Sequence, residues 1–105
     1  MSLKHLSDSD FAEMVSKGVS FVDFWATWCG PCRMFGPVFE AASTKYQNVN
    51  FGKYEITDSN RRMAAQYGVR SIPSILAFKN GELIDSKVGL MDEAAFDEWI
   101  KEVGS

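Results

Sequence analysis

Apolar residues recur along this chain with two different periods, and the two periods separate the predicted helices from the predicted strands. In four segments they recur every three or four positions, which predicts amphipathic helices. The four stripes are Phe11, Met14 and Val15; Phe35, Val38, Phe39, Ala42 and Tyr46; Met63, Ala64 and Tyr67; and Phe96, Trp99, Ile100 and Val103. Ser7 or Asp8 is the expected cap of the first helix and Asp92 that of the last, and Pro37 is expected to kink the second.

The segments between these stripes predict five strands. Val19–Ala26 is nearly all apolar, which is typical of a strand covered on both faces. Asn80-Gly81 is a strong hairpin signal that joins two further strands. These are Pro73–Lys79 and Glu82–Gly89, and the remaining candidates are Val49–Ile56 and Leu3–Leu6. The order β-α-β-α-β-α-β-β-α predicts an α/β fold with a central mixed five-stranded sheet and helices on both faces.

The composition fits one globular domain over residues 1–105. Apolar residues make up 46% and charged residues 24% of the chain, which excludes a disordered or low-complexity protein. The net charge is −3 and no basic cluster is longer than Arg61-Arg62, so nucleic acid is not an expected partner. No run approaches the roughly 20 apolar residues that cross a membrane, and the first ten residues lack the apolar run of a signal peptide. We therefore expect a cytoplasmic protein without a membrane partner.

The chain has two cysteines, Cys29 and Cys32, and their spacing favours redox chemistry. A disulfide that closes so short a loop removes little entropy from the unfolded chain, so stapling the fold is not its main purpose. A structural zinc site needs about four ligands. His5 is the only histidine in the sequence, so such a site would need carboxylates or a second chain. A redox-active dithiol without a metal is the preferred interpretation.

The position of Cys29 between a predicted strand and a predicted helix suggests how its thiol is activated. Pro31 fits the first turn of that helix, and the free N–H groups of this turn then face the Cys29 sulfur. The helix dipole lowers a thiol pKa by roughly one unit at most, so hydrogen bonds such as one from the Cys32 N–H must supply the rest. We expect Cys29 to be the attacking thiolate and Cys32, one turn later and more buried, to act second.

Asp23 is the one acid inside the apolar segment Val19–Ala26. Strand alternation places it on the same face as Phe21 and Trp25, which favours burial and therefore a raised pKa. A carboxyl group of this kind can accept and return a proton near neutral pH. The alternative is an exposed acid on an edge strand.

The segment Val22-Asp23-Phe24-Trp25-Ala26-Thr27-Trp28-Cys29-Gly30-Pro31-Cys32 resembles the active-site segment of the thioredoxin family. The resemblance continues in the family's order and spacing at Pro37, Ile72-Pro73, Phe78-Lys79-Asn80-Gly81-Glu82 and Val88-Gly89. It covers essentially the whole chain and implies the thioredoxin fold.

The resemblance also implies roles for individual residues. In the family the acid that matches Asp23 deprotonates the second cysteine, and the lysine that matches Lys53 moderates the charge of that acid; the alternative for Lys53 is a solvated strand lysine. Pro73 matches a cis-proline opposite the dithiol. We expect the substrate to contact the rim around the dithiol, which comprises Trp28, Gly30, Pro31, Ile72, Pro73 and Gly89. For Trp28 a place in the core is the alternative, and for Gly89 a plain strand end.

The resemblance implies a monomeric thiol–disulfide oxidoreductase that reduces protein disulfides. Its electrons would come from thioredoxin reductase, so that NADPH and FAD act only through that partner and the chain itself needs no bound cofactor. The pair Gly30-Pro31 suits a reductant. Three alternatives stay open: an oxidase or isomerase, an adaptor whose dithiol is incidental, and a metal-binding module. The four methionines Met14, Met34, Met63 and Met91 are expected to pack in the core and not to bind a soft metal.

Overall fold

The helices and strands of a computed structural model, which describes residues 3–104, follow the order that the hydrophobic pattern predicts. Every predicted strand and helix is present, with bounds that differ from the prediction by one or a few residues. The elements are β1 (Leu3–Leu6), α1 (Phe11–Val15), β2 (Val19–Trp25), α2 (Gly30–Lys45), β3 (Asn50–Glu55), α3 (Arg62–Gln66), β4 (Ser74–Lys79), β5 (Glu82–Val88) and α4 (Glu93–Gly104).

The five strands form one mixed sheet in the order β1-β3-β2-β4-β5. Strands β1, β3 and β2 are parallel, whereas β4 is antiparallel to β2 and β5 is antiparallel to β4. The predicted hairpin turn between β4 and β5 is confirmed, because Asn80 and Gly81 both have positive φ, at 51° and 87°. Strand β2 lies at the centre of the sheet, which explains its nearly continuous apolar sequence.

Each face of the sheet is covered by two helices and carries its own apolar core. One core lies under α1 and α3 and the other under α2 and α4. The rings of Phe21, Phe35, Phe39 and Phe96 pack on one another in the second core. Strand β5 lies at an edge of the sheet and all seven of its residues are exposed, although Trp99 of α4 donates a hydrogen bond to Asp85 Oδ2 at 2.8 Å. The predicted two-sided layer architecture is therefore confirmed, with one exposed strand at an edge.

Of the two predicted helix caps, one is confirmed and the other is wrong. Asp92 caps α4 as predicted, because its Oδ1 accepts a hydrogen bond from the Ala95 N–H at 2.8 Å. The prediction that Ser7 or Asp8 caps α1 is wrong, because Asp10 stands at that end and makes no side-chain cap hydrogen bond. The Asp8 carboxylate instead accepts hydrogen bonds from the backbone N–H groups of Arg62 and Met63, at the start of α3. The Asp8 side chain therefore points away from α1 and towards α3, which begins more than 50 residues later.

Candidate active site

Cys29 and Cys32 lie at the amino-terminal end of α2 and are joined by a disulfide bond. Cys29 is the N-cap residue with extended backbone angles (φ −98°, ψ 111°), and Gly30 and Pro31 are the first two helical residues. The Cys32 N–H donates a hydrogen bond to Cys29 Sγ at 3.2 Å. Helix α2 therefore begins directly after Cys29, as predicted, and the Cys32 N–H points at the Cys29 sulfur.

The two cysteines are both shielded from solvent. Cys29 is 6% and Cys32 2% exposed, so the order of exposure is the predicted one but the difference is small. Cys29 Sγ also lies 3.7 Å from the carbonyl oxygen of Ile72. The positive end of the helix dipole and the amide of Cys32 both favour negative charge on Cys29 Sγ when the disulfide is reduced.

Asp23 is completely buried in the middle of β2, two residues before Trp25. Trp25 packs against the small cluster that contains Ala26, Cys29 and Cys32. Within the part of the chain that the structure describes, neither carboxyl oxygen of Asp23 has a hydrogen-bond partner. Burial raises the pKa of Asp23 from its ordinary value of 3.8 to about 7, although the charge of Lys53 acts in the opposite direction. The alternative of an exposed acid on an edge strand is wrong, because β2 is central.

Lys53 is the neighbour of Asp23 in the sheet, since the two residues are register partners on β3 and β2. Its side chain is 11% exposed, which excludes a solvated lysine. Its Nζ lies 3.8 Å from Glu40 Oε2 and 4.7 Å from the centre of the Trp25 ring. Lys53 was predicted from the sequence but Glu40 was not, because a single acid on the outer side of a helix carries no signal of which residue it contacts.

The loop before β4 lies against the dithiol. The peptide bond between Ile72 and Pro73 is cis, as the resemblance implies, and Pro73 is buried. Gly89 has a φ of 100°, and its N–H donates a hydrogen bond to the Pro73 carbonyl at 2.8 Å. This bond brings the residue after β5 next to the loop that contains Ile72. A left-handed φ of this kind favours glycine, so the backbone conformation accounts for the residue type at position 89.

Several large apolar side chains in these segments are exposed. Trp28 is 75% exposed, which overturns the alternative of a core tryptophan, whereas Trp99 is buried as predicted. Met34 is 65% exposed, so the prediction that it packs in the core is wrong. Met34 directly precedes Phe35 and therefore lies about 100° around the helix from it, at the margin of the stripe. This position could have indicated that its side chain is exposed. Trp25 is half-buried.

Among residues 3–104, no group of three or more histidine, cysteine, aspartate or glutamate side chains is arranged to hold a metal ion. In the same range, no helix combines the length and the apolar character that a membrane crossing needs.

Comparisons with known proteins agree with the geometry of the site. The family model described as Thioredoxin matches residues 2–102. A thioredoxin of Staphylococcus epidermidis is 45% identical over 93 residues, which are 85% of this chain and 86% of the relative. A mutant thioredoxin from Halobacterium salinarum has a TM-score of 0.89 at 31% identity, over 99% of this chain and 92% of the other. A Malassezia sympodialis thioredoxin has a TM-score of 0.87 at 35% identity, over 100% of this chain and 96% of the other.

Proposed function

We propose a division of labour among the site residues of this chain, which belongs to the thioredoxin family and is a thiol–disulfide oxidoreductase that reduces protein disulfides. The Cys29–Cys32 pair is its redox centre, and thioredoxins carry no bound cofactor. The family implies disulfide-containing proteins as substrates and a reductase that returns electrons to the pair. We propose the roles of the individual residues from their contacts in the site.

Cys29 attacks the substrate in the first step. Its thiolate forms a bond to one sulfur of the substrate disulfide, the substrate S–S bond breaks, and the other substrate sulfur leaves as a thiolate that takes up a proton. The hydrogen bond from the Cys32 N–H to Cys29 Sγ supports this assignment, because it stabilises negative charge on that sulfur. Cys29 is also the less buried of the two cysteines.

Cys32 acts in the second step with Asp23 as its base. The Asp23 carboxylate accepts the Cys32 thiol proton, and the Cys32 thiolate attacks Cys29 Sγ. A new Cys29–Cys32 disulfide forms, the mixed disulfide breaks, and the second substrate thiol is released with two electrons and two protons transferred in all. A pKa of about 7 for Asp23 suits a group that must both accept and return this proton near neutral pH. Lys53 moderates the charge that Asp23 then carries.

The rim of the dithiol receives the substrate. Trp28 offers an exposed apolar surface directly before Cys29, and Gly30 and Pro31 leave the helix start without a bulky side chain. We propose that an extended substrate segment pairs with the backbone of Ile72, whose carbonyl lies 3.7 Å from Cys29 Sγ. Pro73 and Gly89 complete this rim, joined by their backbone hydrogen bond.

The same proposal includes the domain organisation, the oligomeric state, the location and the partners of the protein. Residues 1–105 form a single thioredoxin domain that acts as a cytoplasmic monomer. Its partners are the reductase and disulfide-containing proteins, and neither nucleic acid nor a membrane is among them. The net charge of −3 and the scattered basic residues support the exclusion of nucleic acid. Size-exclusion chromatography with light scattering tests the monomer.

The observation that carries the proposal is the position of Cys29 at the start of α2 with the Cys32 amide aimed at its sulfur. The test is reduction of insulin disulfides in dithiothreitol, compared between the wild type and Cys29→Ser. We expect the variant to lose acceleration above the dithiothreitol background. Cys32→Ser is the matched control and should trap a mixed disulfide through Cys29. Equal activity of the wild type and Cys29→Ser would reject the proposal.

A further inference from the structure

Lys53 and Asp23 are direct neighbours in the sheet, yet their charged groups are not paired. The two residues are register partners on parallel strands, and their side chains project from the same face. Across residues 3–104 neither Asp23 oxygen has a hydrogen-bond partner, so the Lys53 ammonium group is beyond bonding distance. That group lies instead 3.8 Å from Glu40 Oε2. Lys53 therefore forms an ion pair with the exposed Glu40 and not with the buried Asp23.

Helix α2 provides the place where the ammonium group of Lys53 rests. Glu40 follows Gly36 by four residues, so both lie on one side of the helix. A Cβ atom at Gly36 would stand 3.6 Å from Lys53 Nζ, and the Trp25 ring lies on another side of Nζ at 4.7 Å. A small helix position, an aromatic ring and a carboxylate thus surround the ammonium group.

We propose that Glu40 is a positioning residue for the resolving step, because it holds the Lys53 ammonium group against α2 and out of pairing distance of the Asp23 carboxyl group. The inference rests on the proposed role of Asp23 as the base for Cys32. Glu40 acts through Lys53 and has no contact with the substrate or the reacting sulfurs in this role.

The consequence follows from simple electrostatics. A lysine paired with Asp23 would stabilise the carboxylate, and a carboxylate stabilised in this way is a weaker base for the Cys32 thiol. Replacing Glu40 with glutamine releases Lys53 towards Asp23 and also removes a negative charge from the neighbourhood. Both changes favour the ionised form of Asp23, so its pKa should fall in the variant.

Other charged groups near Lys53 and Asp23 must be separated from the effect of Glu40. Glu55 lies two residues after Lys53 on the same face of β3, and His5 is the register partner of Lys53 on β1. The Cys29–Cys32 pair contributes no charge while it is oxidised. From β4 the register partner of Asp23 is the apolar Ile75. These groups are identical in all the variants below, so their contribution cancels.

The experiment is a titration of the Asp23 carboxyl carbon by NMR in the oxidised protein. We expect Glu40→Gln to lower the Asp23 pKa by about 0.5–1 unit. Glu13→Gln, on α1 and the opposite face of the sheet, removes the same charge and should shift the Asp23 pKa by less than about 0.2 unit. The midpoint of the pH profile for mixed-disulfide resolution should move down together with the Asp23 pKa.

A double variant decides whether Lys53 transmits the effect. In a Lys53→Met background, Glu40→Gln should shift the Asp23 pKa by less than about half as much, because only the direct effect of the Glu40 charge remains; Lys53→Gln serves if the methionine variant does not fold. An unshifted Asp23 in Glu40→Gln overturns the inference, and so does a shift that keeps more than about half of its size without Lys53. The titration uses oxidised protein and needs no turnover, so its outcome is independent of whether Cys29→Ser retains activity.

Discussion

Asp8 and Asp23 lie on opposite faces of the sheet, and their surroundings shift the pKa of the aspartate side chain in opposite directions. Asp8 accepts hydrogen bonds from the Tyr54 hydroxyl at 2.5 Å and from the N–H groups of Met63 and Arg62. These bonds, that of Tyr54 above all, hold the pKa of Asp8 below its ordinary value. Asp23 is buried without such a bond within residues 3–104, and its pKa rises to about 7.

The comparison distinguishes an acid whose pKa is lowered by hydrogen bonds from an acid whose pKa is raised by burial. Asp8 ties the start of α3 to the segment before α1, and its negative charge is favoured at a helix N-terminus. Asp23 contributes no such tie, and its ionised form destabilises the folded state. A buried acid with a raised pKa is a candidate for a chemical role, and this supports the proposal that Asp23 is the base for Cys32.

The largest expected effect comes from Asp23→Ala. The folded protein holds a proton on Asp23 up to pH 7 that the unfolded chain releases near 3.8, so stability falls as the pH rises through this window and stays low above it. At about 1.4 kcal/mol per pKa unit, the cost of the ionised group is at most ~4 kcal/mol. We expect Asp23→Ala to be more stable by about 2–4 kcal/mol at pH 8.5, with a gain that shrinks towards pH 4. Urea unfolding of the oxidised proteins measures this.

The same variant should be slower in the second step of the reaction. Release of reduced substrate from the mixed disulfide should slow by about tenfold or more near pH 7, because Cys32 has lost its base. Stopped-flow measurements separate this step from the attack by Cys29, which should keep its rate. The difference should narrow at pH 9, where the Cys32 thiol ionises unaided. A variant that is less stable and resolves at the wild-type rate would refute the assignment of Asp23.

A smaller effect is expected from Tyr54→Phe on the other face. The hydroxyl group that is removed donates to Asp8 and accepts from the Met63 N–H at 3.2 Å. Burial and the bond to Asp8 raise the pKa of Tyr54 to about 12, so the hydroxyl stays protonated at neutral pH. We expect a loss of about 1 kcal/mol in the free energy of unfolding and no change in insulin reduction. A change in redox activity would mean that the two faces are coupled.

Asp8→Asn should have the smallest effect, and its sign with pH should be opposite to that of Asp23→Ala. The folded pKa of Asp8 is lowered, so its contribution to stability is present above the ordinary value of 3.8 and is lost as the pH falls below it. The variant should therefore be less stable than the wild type at pH 7, and the difference should shrink as the pH falls through the lowered pKa of Asp8. Parallel stability curves across this range would contradict the structural role of the charge.

Most of the fold could be predicted because its signals are local. The continuous apolar run of β2, the Asn80-Gly81 turn and the spacing of the helical stripes each depend on a few neighbouring residues. The exposure of β5 could not be predicted in this way, because it depends on the position of β5 at an edge of the sheet. The partners of Asp8 and Lys53 were missed for the same reason: each lies on another element.

The sequence by itself determined the dithiol, its place before a helix and the burial of Asp23, since these follow from periodicity and from residue spacing along one strand and one helix. Tertiary structure decided which charges meet. Asp8 binds the start of a distant helix and Lys53 lies next to Glu40, whereas Asp23 has no hydrogen-bond partner among residues 3–104. The reason is physical: a pKa depends on the burial and charges within a few ångströms, and those neighbours are brought together by packing.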